Sequence, residues 1–258
     1  MIVLSRLILI YNNPTLYDDM MWWKKDDIDF WLYSIKENKS KKILELCCGT
    51  GRIGLPLIGQ GLDYYGIDLS KNFIKHFKSK VTDSNYNLNH IKTADIRKLN
   101  INQTFDFIFI GFNSLAHLLT DKDLMDCFHS LKSHMHKNTI LAIDIFVPLP
   151  SFLYRDNQDK FNMMDFLYSK TNEKINIMES IDYNPLTEIN QINWEFINEN
   201  KICKFNFQFD MRMYYPDTLN RILTDCGYHV DSLYGDYHGN KFDENSEKQI
   251  YFCRSKIN

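Results

Sequence analysis

From Lys42 to about Val147 the chain alternates short apolar runs with segments whose apolar residues recur at helical spacing, the pattern of βαβ units around a parallel sheet. The apolar runs predict strands at Ile43–Cys47, Tyr64–Asp68, Asn89–Thr93, Phe105–Gly111 and Ile140–Val147. Between them the helical period predicts helices at Arg52–Gly59, Lys71–Lys80 and Asp121–His136, the last closed by a Lys137-Asn138 turn. Beyond Pro148 and Pro150 the period changes to two. Cys203, Phe205, Phe207, Phe209, Met211 and Met213 alternate with Lys204, Asn206, Gln208, Asp210 and Arg212, and Ile192, Trp194 and Phe196 repeat the pattern upstream. With Ile175–Tyr183 as a further run, three or four antiparallel strands are expected there. Pro216–Cys226 then reads as a helix ended by Gly227, followed by strands at about Tyr228–Tyr234 and Gln249–Arg254.

The fold class is therefore α/β: a Rossmann-like, mostly parallel seven-stranded sheet with helices on both faces and an inserted antiparallel β-sheet. The expected divisions are an N-terminal helical cap at 1–41, a ligand-binding core at 42–150, the inserted sheet at 151–213 as a lid or dimer surface, and a helix and hairpin at 214–258 that complete the core sheet. A chain of 258 residues has room for one such decorated domain, and 44% hydrophobic with 24% charged residues is ordinary for a globular protein. The net charge of −3 argues against nucleic acid as the main partner, because phosphate contacts normally leave a basic surface. Lys71, Lys75, Lys78 and Lys80 read as the solvated face of one helix. Six cysteines without a Cys-x-x-Cys pair fit a reducing compartment, and the apolar opening Met1–Ile10, broken by Arg6, is too short to span a bilayer. A cytoplasmic protein with no membrane contact is expected.

The strongest chemical signal is Glu45-Leu46-Cys47-Cys48-Gly49-Thr50-Gly51, directly after a strand and directly before a helix. Glycines there let backbone approach a nucleotide-like ligand, and the next strand ends in Gly66-Ile67-Asp68, whose carboxylate can accept bonds from both ribose hydroxyls. Gly49-Thr50-Gly51-Arg52-Ile53-Gly54 also spells the dinucleotide fingerprint G-x-G-x-x-G, so the motif by itself admits NAD as well as S-adenosylmethionine. Three features favour the second. Glu45 places negative charge at the glycine turn, which suits a cationic methionine moiety better than a pyrophosphate. Asp95, in Ala94-Asp95-Ile96-Arg97 after the third strand, is placed to reach an adenine amino group. The sole Tyr-x-x-x-Lys match to a dehydrogenase proton relay, Tyr237 to Lys241, falls in a Gly-containing turn.

Tyr17-Asp18, Asp27-Ile28-Asp29-Phe30, Leu44 to Arg52, Gly66-Ile67-Asp68-Leu69-Ser70, Ala94-Asp95-Ile96-Arg97 and Phe112-Asn113-Ser114-Leu115-Ala116-His117-Leu118 occur in an order that resembles the class I S-adenosylmethionine-dependent methyltransferases, small-molecule type. The subgroup it is similar to includes glycine/sarcosine and sugar-amine N-methyltransferases. The resemblance implies S-adenosyl-L-methionine as cofactor and S-adenosyl-L-homocysteine as product. It further implies that Glu45, Cys47, Gly49, Gly51 and Arg52 surround the methionine portion, Asp68 and Leu69 the ribose, and Asp95 with Ile96 the adenine. Phe112 and Asn113 would line the methyl-transfer site, and Tyr17 would close over the cofactor. Cys47 stands where the family usually has glycine, so the backbone there is expected to avoid positive φ.

The acceptor is expected to be a small molecule, with nitrogen preferred to oxygen on the same analogy. A hydroxyl acceptor would want a general base, for which His117 is the first candidate, although a histidine packed under the sheet is an equal reading. His134 and His136 point apart on the predicted helix and suit its C-terminal dipole, so no metal site is expected. Arg212, Tyr214, Tyr237 and His238 could line an acceptor pocket or serve as sheet and turn residues. The competing readings are an NAD-dependent oxidoreductase and a non-catalytic S-adenosylmethionine-binding module. A homodimer through the inserted sheet is the partner arrangement the pattern allows.

Overall fold

A computed structural model of the chain describes residues 10–156 and 159–256. Helices α1 (Pro14–Met20) and α2 (Asp26–Glu37) precede β1 (Lys42–Leu46); α3 (Gly54–Gly59), β2 (Asp63–Asp68), α4 (Lys71–Lys80), β3 (Ile91–Thr93), β4 (Phe105–Ile110), α5 (Asp121–Leu131) and β5 (Met135–Phe146) follow. A short α6 (Pro150–Leu153) leads into β6 (Phe161–Tyr168), β7 (Glu173–Asn184), β8 (Ile189–Asn198) and β9 (Cys203–Arg212). Then come α7 (Pro216–Asp225), β10 (Tyr228–Tyr234) and β11 (Lys248–Ser255). Two compact units result: residues 1–25 with 148–213, and residues 26–147 with 214–258.

The larger unit is built on a seven-stranded sheet in the order β10-β11-β5-β4-β1-β2-β3. Strands β1 to β5 pair in parallel, and β11 and β10 close the edge antiparallel. The strand order reverses at β1, between β2 and β4, so the carboxyl ends of β1 and β4 flank the crevice where open α/β sheets bind ligands. Phe30, Trp31 and Ile35 of α2 share one core cluster with Phe107, Phe109, Ala142, Ile250 and Phe252 of the sheet. That face is aromatic throughout: Trp31 lies 4.7 Å from Phe109, and Phe30 6.1 Å from Phe252.

The smaller unit is a four-stranded antiparallel sheet, β6-β7-β8-β9. Ile175, Ile177, Phe196 and Phe207 on its apolar face pack with Ile10, Leu16 and Met20, while Lys204, Asn206 and Gln208 stand on the other. Strand β6 is hard to read in the sequence because its pairing shifts between Asn162 and Met164, which breaks the period of two. Ile10 enters this core, and the remainder of the apolar opening lies outside the described residues.

Two boundaries differ from expectation. Helix α5 ends at Leu131, a 3₁₀ turn occupies Lys132–His134, and β5 has already begun at Met135. The expected Lys137-Asn138 turn is absorbed into that strand, where Thr139 Oγ1 donates to Phe105 O and accepts from His136 N. His134 therefore does not cap a helix dipole; its ring nitrogens lie 3.0 Å from Gln103 O and 3.2 Å from Leu99 O. His136 lies 3.1 Å from Asp106. Among the described residues no His, Cys, Asp and Glu group has metal-site geometry, and no helix is long and apolar enough to cross a membrane.

Candidate active site

The turn after β1 is held by backbone bonds that tie it to β2. Cys48 N–H donates to Ile67 O at 2.9 Å, which requires the chain to reverse at Cys47, and Cys47 takes φ 56°. The expectation that cysteine there avoids positive φ is thus corrected. The left-handed conformation costs about 1–2 kcal/mol for a non-glycine residue and is offset by the bond it makes possible. Gly49 follows at φ 57° and Gly51 at φ 86°.

The glycine spacing that resembles a dinucleotide fingerprint has a packing explanation here. A Cβ on Gly51 would fall 2.2 Å from the Phe77 ring, and one on Gly54 would fall 2.4 Å from the Tyr64 hydroxyl. Gly54 and Gly66 leave room for that hydroxyl, which donates to Glu45 Oε2 at 2.5 Å. Glu45 is 4% exposed, and its burial pushes the carboxyl up to about 8 from an ordinary 4.5, against the pull of the Tyr64 bond and the nearby Arg52 charge.

Asp68, at the end of β2, is oriented by backbone donors, among them Gly49 N–H to Oδ2 at 2.9 Å and Ser70 N–H to Oδ1 at 2.7 Å, with Leu69 as a further one. A carboxylate offers about four acceptor positions, so acceptor capacity remains beyond these backbone bonds, as a vicinal diol requires. Burial raises the Asp68 pKa, and the backbone bonds work against that rise. Leu69 beside it is 56% exposed, an apolar side chain facing solvent at the strand end. Asp95 lies beyond the third strand as the cap of a 3₁₀ turn, Ile96–Lys98, with Ile96 buried. Arg97 binds the Asp95 carboxylate through Nε and Nη2 and holds its pKa low.

Arg52 belongs to a second charge system. Its guanidinium pairs bidentately with Asp27 of α2 at 2.5 and 2.7 Å, and Asp27 is 0% exposed. The same guanidinium lies 5.3 Å from the Phe112 ring. Phe112 and Asn113 both hold positive φ, 51° and 61°. Two successive left-handed residues need fixing, and Asp144 of β5 supplies it. Its Oδ2 accepts Phe112 N–H at 2.9 Å, its carbonyl accepts Asn113 N–H, and Asn113 Oδ1 accepts Phe146 N–H.

Asp144 was missed in the sequence; its partner is Tyr237, one of the residues expected to line an acceptor pocket or serve in a turn, whose hydroxyl donates to Asp144 Oδ2 at 2.7 Å. A signal existed: Asp144 is an acid inside the apolar run Ile140 to Val147. Tyr237 lies in the loop between β10 and β11, not on a helix as a dehydrogenase relay would need. His117 ends a 3₁₀ turn, Ser114–His117. Tyr214 is fully buried with its hydroxyl on Leu118 O, a structural role; Arg212 pairs with Glu188, and His238 is exposed. Tyr17 is on α1 in the smaller unit, packed beside Tyr11 and the Ile10–Leu16 cluster.

Acid, glycine turn and acid along β1 and β2, at the switch point of a sheet in this order, define the class I S-adenosylmethionine-dependent methyltransferases. Residues 43–138 match the methyltransferase domain family, and with the relatives this supports a class I S-adenosylmethionine-dependent methyltransferase with S-adenosylmethionine as its cofactor. The methyltransferase-like protein YqeM of Bacillus subtilis is 23% identical over 255 residues, covering 94% of this chain and 96% of its own. In fold, the chain is similar to an S-adenosylmethionine-dependent methyltransferase of Clostridium acetobutylicum (TM-score 0.77, 20% identity, 93% and 96% of the two chains). It is also similar to the sugar N-methyltransferase KedS8 of Streptoalloteichus (TM-score 0.67, 13% identity, 90% and 89%). Glycine/sarcosine N-methyltransferase of Aphanothece halophytica is 24% identical over 133 residues, half of each chain.

We propose that Glu45 contacts the cationic methionine portion, in which case cofactor binding is expected to depend on pH. A cationic ligand favours the ionised carboxylate, so below about 8 its binding expels the Glu45 proton and affinity rises with pH, by up to about tenfold per unit. Above that value the dependence levels off. Protein stability moves oppositely: between 4.5 and about 8 the folded state holds a proton that the unfolded chain releases, so this carboxyl's contribution falls as pH rises. Calorimetric titration of S-adenosylmethionine across this range, in buffers of different ionisation enthalpy, is expected to show proton release that Glu45→Gln abolishes. An identical profile in the variant would remove Glu45 as the source.

Proposed function

We propose that the enzyme methylates a small-molecule amine. The observation that carries the reading is the pairing of two differently held carboxylates in the core unit: Asp68, fixed by backbone donors with acceptor positions to spare, and buried Glu45 at the adjacent strand end. In this reading Asp68 takes the ribose hydroxyls, with Leu69 beside it. Glu45, with Cys47, Gly49, Gly51 and Arg52, surrounds the cationic methionine portion. Ile96 and the Arg97-bound Asp95 border the adenine. The bound cofactor supplies an electrophilic methyl group on a sulfonium. What the chain contributes is alignment of a nucleophile with that methyl and exclusion of water.

Phe112 and Asn113, locked in left-handed geometry, form the wall of the transfer site. Support for nitrogen as acceptor comes from the sugar and glycine/sarcosine N-methyltransferases among the similar proteins. The insertion between Val147 and Tyr214 leaves the core at the carboxyl end of β5.

Titration of the purified protein with S-adenosylmethionine, S-adenosylhomocysteine and NADH tests the cofactor assignment, followed by a turnover screen of amino acids, amino sugars and their hydroxyl analogues. Micromolar binding of the first two, with methylation confined to amines, is expected. Methylation of hydroxyl analogues at equal rates would overturn the preference for nitrogen and direct attention to His117 as base.

A further inference from the structure

The methyl-transfer reading leaves one buried group unexplained. Asp144 is 1% exposed, and its two carboxylate oxygens differ sharply. Oδ2 accepts two bonds, from Phe112 N–H and the Tyr237 hydroxyl. Oδ1 is buried and has no hydrogen-bond partner among the described residues. Leaving a buried carboxylate oxygen unpaired is costly, and native proteins do so chiefly where a ligand, a water or a chemical step completes the group.

A second buried polar atom lacks a partner among the described residues. Trp31 of α2 is 0% exposed and its Nε1–H also has no partner. Its ring stacks on Phe109, and a Cβ on Gly111 would lie 3.6 Å from Nε1. Ile143 pairs with Ile110, so Asp144 and Gly111 are the next positions along β5 and β4. Gly111 thus leaves bare backbone between a buried donor and a buried acceptor, immediately before the Phe112–Asn113 wall.

We propose that Asp144 Oδ1 receives the acceptor's nitrogen, accepting its N–H and then its proton, in a cationic-amine subsite completed by Tyr237 and Trp31. This rests on the methyl-transfer reading above. The nitrogen lone pair forms the N–C bond while the methyl–sulfur bond breaks and its electron pair goes to sulfur. The acceptor reacts as the neutral amine, so methylation gives an ammonium that still carries N–H; its proton moves to the ionised Oδ1, leaving a neutral methylated amine and a neutral carboxyl group. Burial raises the Asp144 pKa, which suits it to take that proton, while Lys248, the Tyr237 hydroxyl and Phe112 N–H restrain the rise. The charged groups facing it are Asp27 from α2, Lys248 from β11 and Tyr237 from the β10–β11 loop, and the Asp27 carboxylate adds to the negative field.

Methylammonium serves as the probe and ethanol as its neutral counterpart, each titrated between about pH 5 and 9 into the whole protein saturated with S-adenosylhomocysteine. The Asp144 side-chain carbon resonance reports occupancy. Methylammonium is expected to bind in the millimolar range and to shift that resonance, with ethanol at least tenfold weaker. Asp144→Asn, which keeps an oxygen for Phe112 N–H and a polar atom for Tyr237, should lose tenfold or more while melting as cooperatively as the wild type. Equal binding of methylammonium by that variant would overturn the proposal and leave Oδ1 as the seat of a buried water. Should Asp144→Asn fail to fold, Tyr237→Phe decides. It removes a bond that lowers the Asp144 pKa, so the pH midpoint for methylammonium binding must move up, and an unmoved midpoint overturns the subsite. The two readings fail separately: methylammonium bound at Asp144 without S-adenosylhomocysteine affinity sinks the methyl-transfer reading, and the reverse sinks the amine subsite.

Discussion

Asp68→Ala is expected to weaken S-adenosylhomocysteine binding by at least 100-fold. In the proposed site each carboxylate oxygen would accept one ribose hydroxyl in addition to the backbone donors already bound. Bonds to a charged group are each worth about 1.5–3 kcal/mol, so two of them amount to about 3 kcal/mol or more, a factor of 100 or greater. The loss also frees Gly49 N–H and Ser70 N–H, loosening the glycine turn and the start of α4 together. Asp68→Asn provides the contrast: it retains one acceptor oxygen but replaces the other with a donor that faces a backbone N–H. It should fall nearer to the alanine variant than to the wild type. Calorimetry or equilibrium dialysis measures both, and an alanine variant within about threefold of wild type would remove Asp68 from the ribose site.

Arg52→Ala should destabilise the larger unit by about 3–5 kcal/mol, the usual consequence of stripping the partner from a buried charge. Asp27 is fully buried and both its oxygens are taken by that one guanidinium, so the variant leaves an uncompensated carboxylate beside Phe30 and Trp31. Removing the acid as well, in Asp27→Ala with Arg52→Ala, should recover part of the loss, because the penalty lies in the stranded charge more than in the missing bond. Urea unfolding followed by tryptophan fluorescence measures both. A double variant less stable than the single one would show instead that packing around Arg52, including its contact with Phe112, carries the effect.

The two charge systems differ in how far they were legible. Glu45, Gly49, Gly51 and Asp68 announce themselves because strand, turn, helix and acid follow one another within a single βαβ unit, and each residue's role is local to that unit. Asp144 and Tyr237 are 93 residues apart, and Asp27 and Arg52 are 25 apart, so no local pattern joins them. Cys47 misled because residue preference argues against a left-handed cysteine, whereas the requirement that Cys48 N–H meet Ile67 O overrides that preference. For Asp95 the sequence gives the position after the third strand but not the Arg97 guanidinium that folds back to bind it.

Hydrophobic period alone determined the class of fold and most of the strands of both sheets, since burial of alternating or helically spaced apolar residues leaves few other arrangements. The tertiary structure decided which polar groups are paired and which are left over. It brought α2, β5 and the β10–β11 loop to one end of the larger sheet, placed Asp144 and Trp31 out of water there, and left one oxygen and one N–H unsatisfied. The physical reason is that desolvation of a polar atom depends on everything packed around it, and that environment is assembled from segments far apart in the chain.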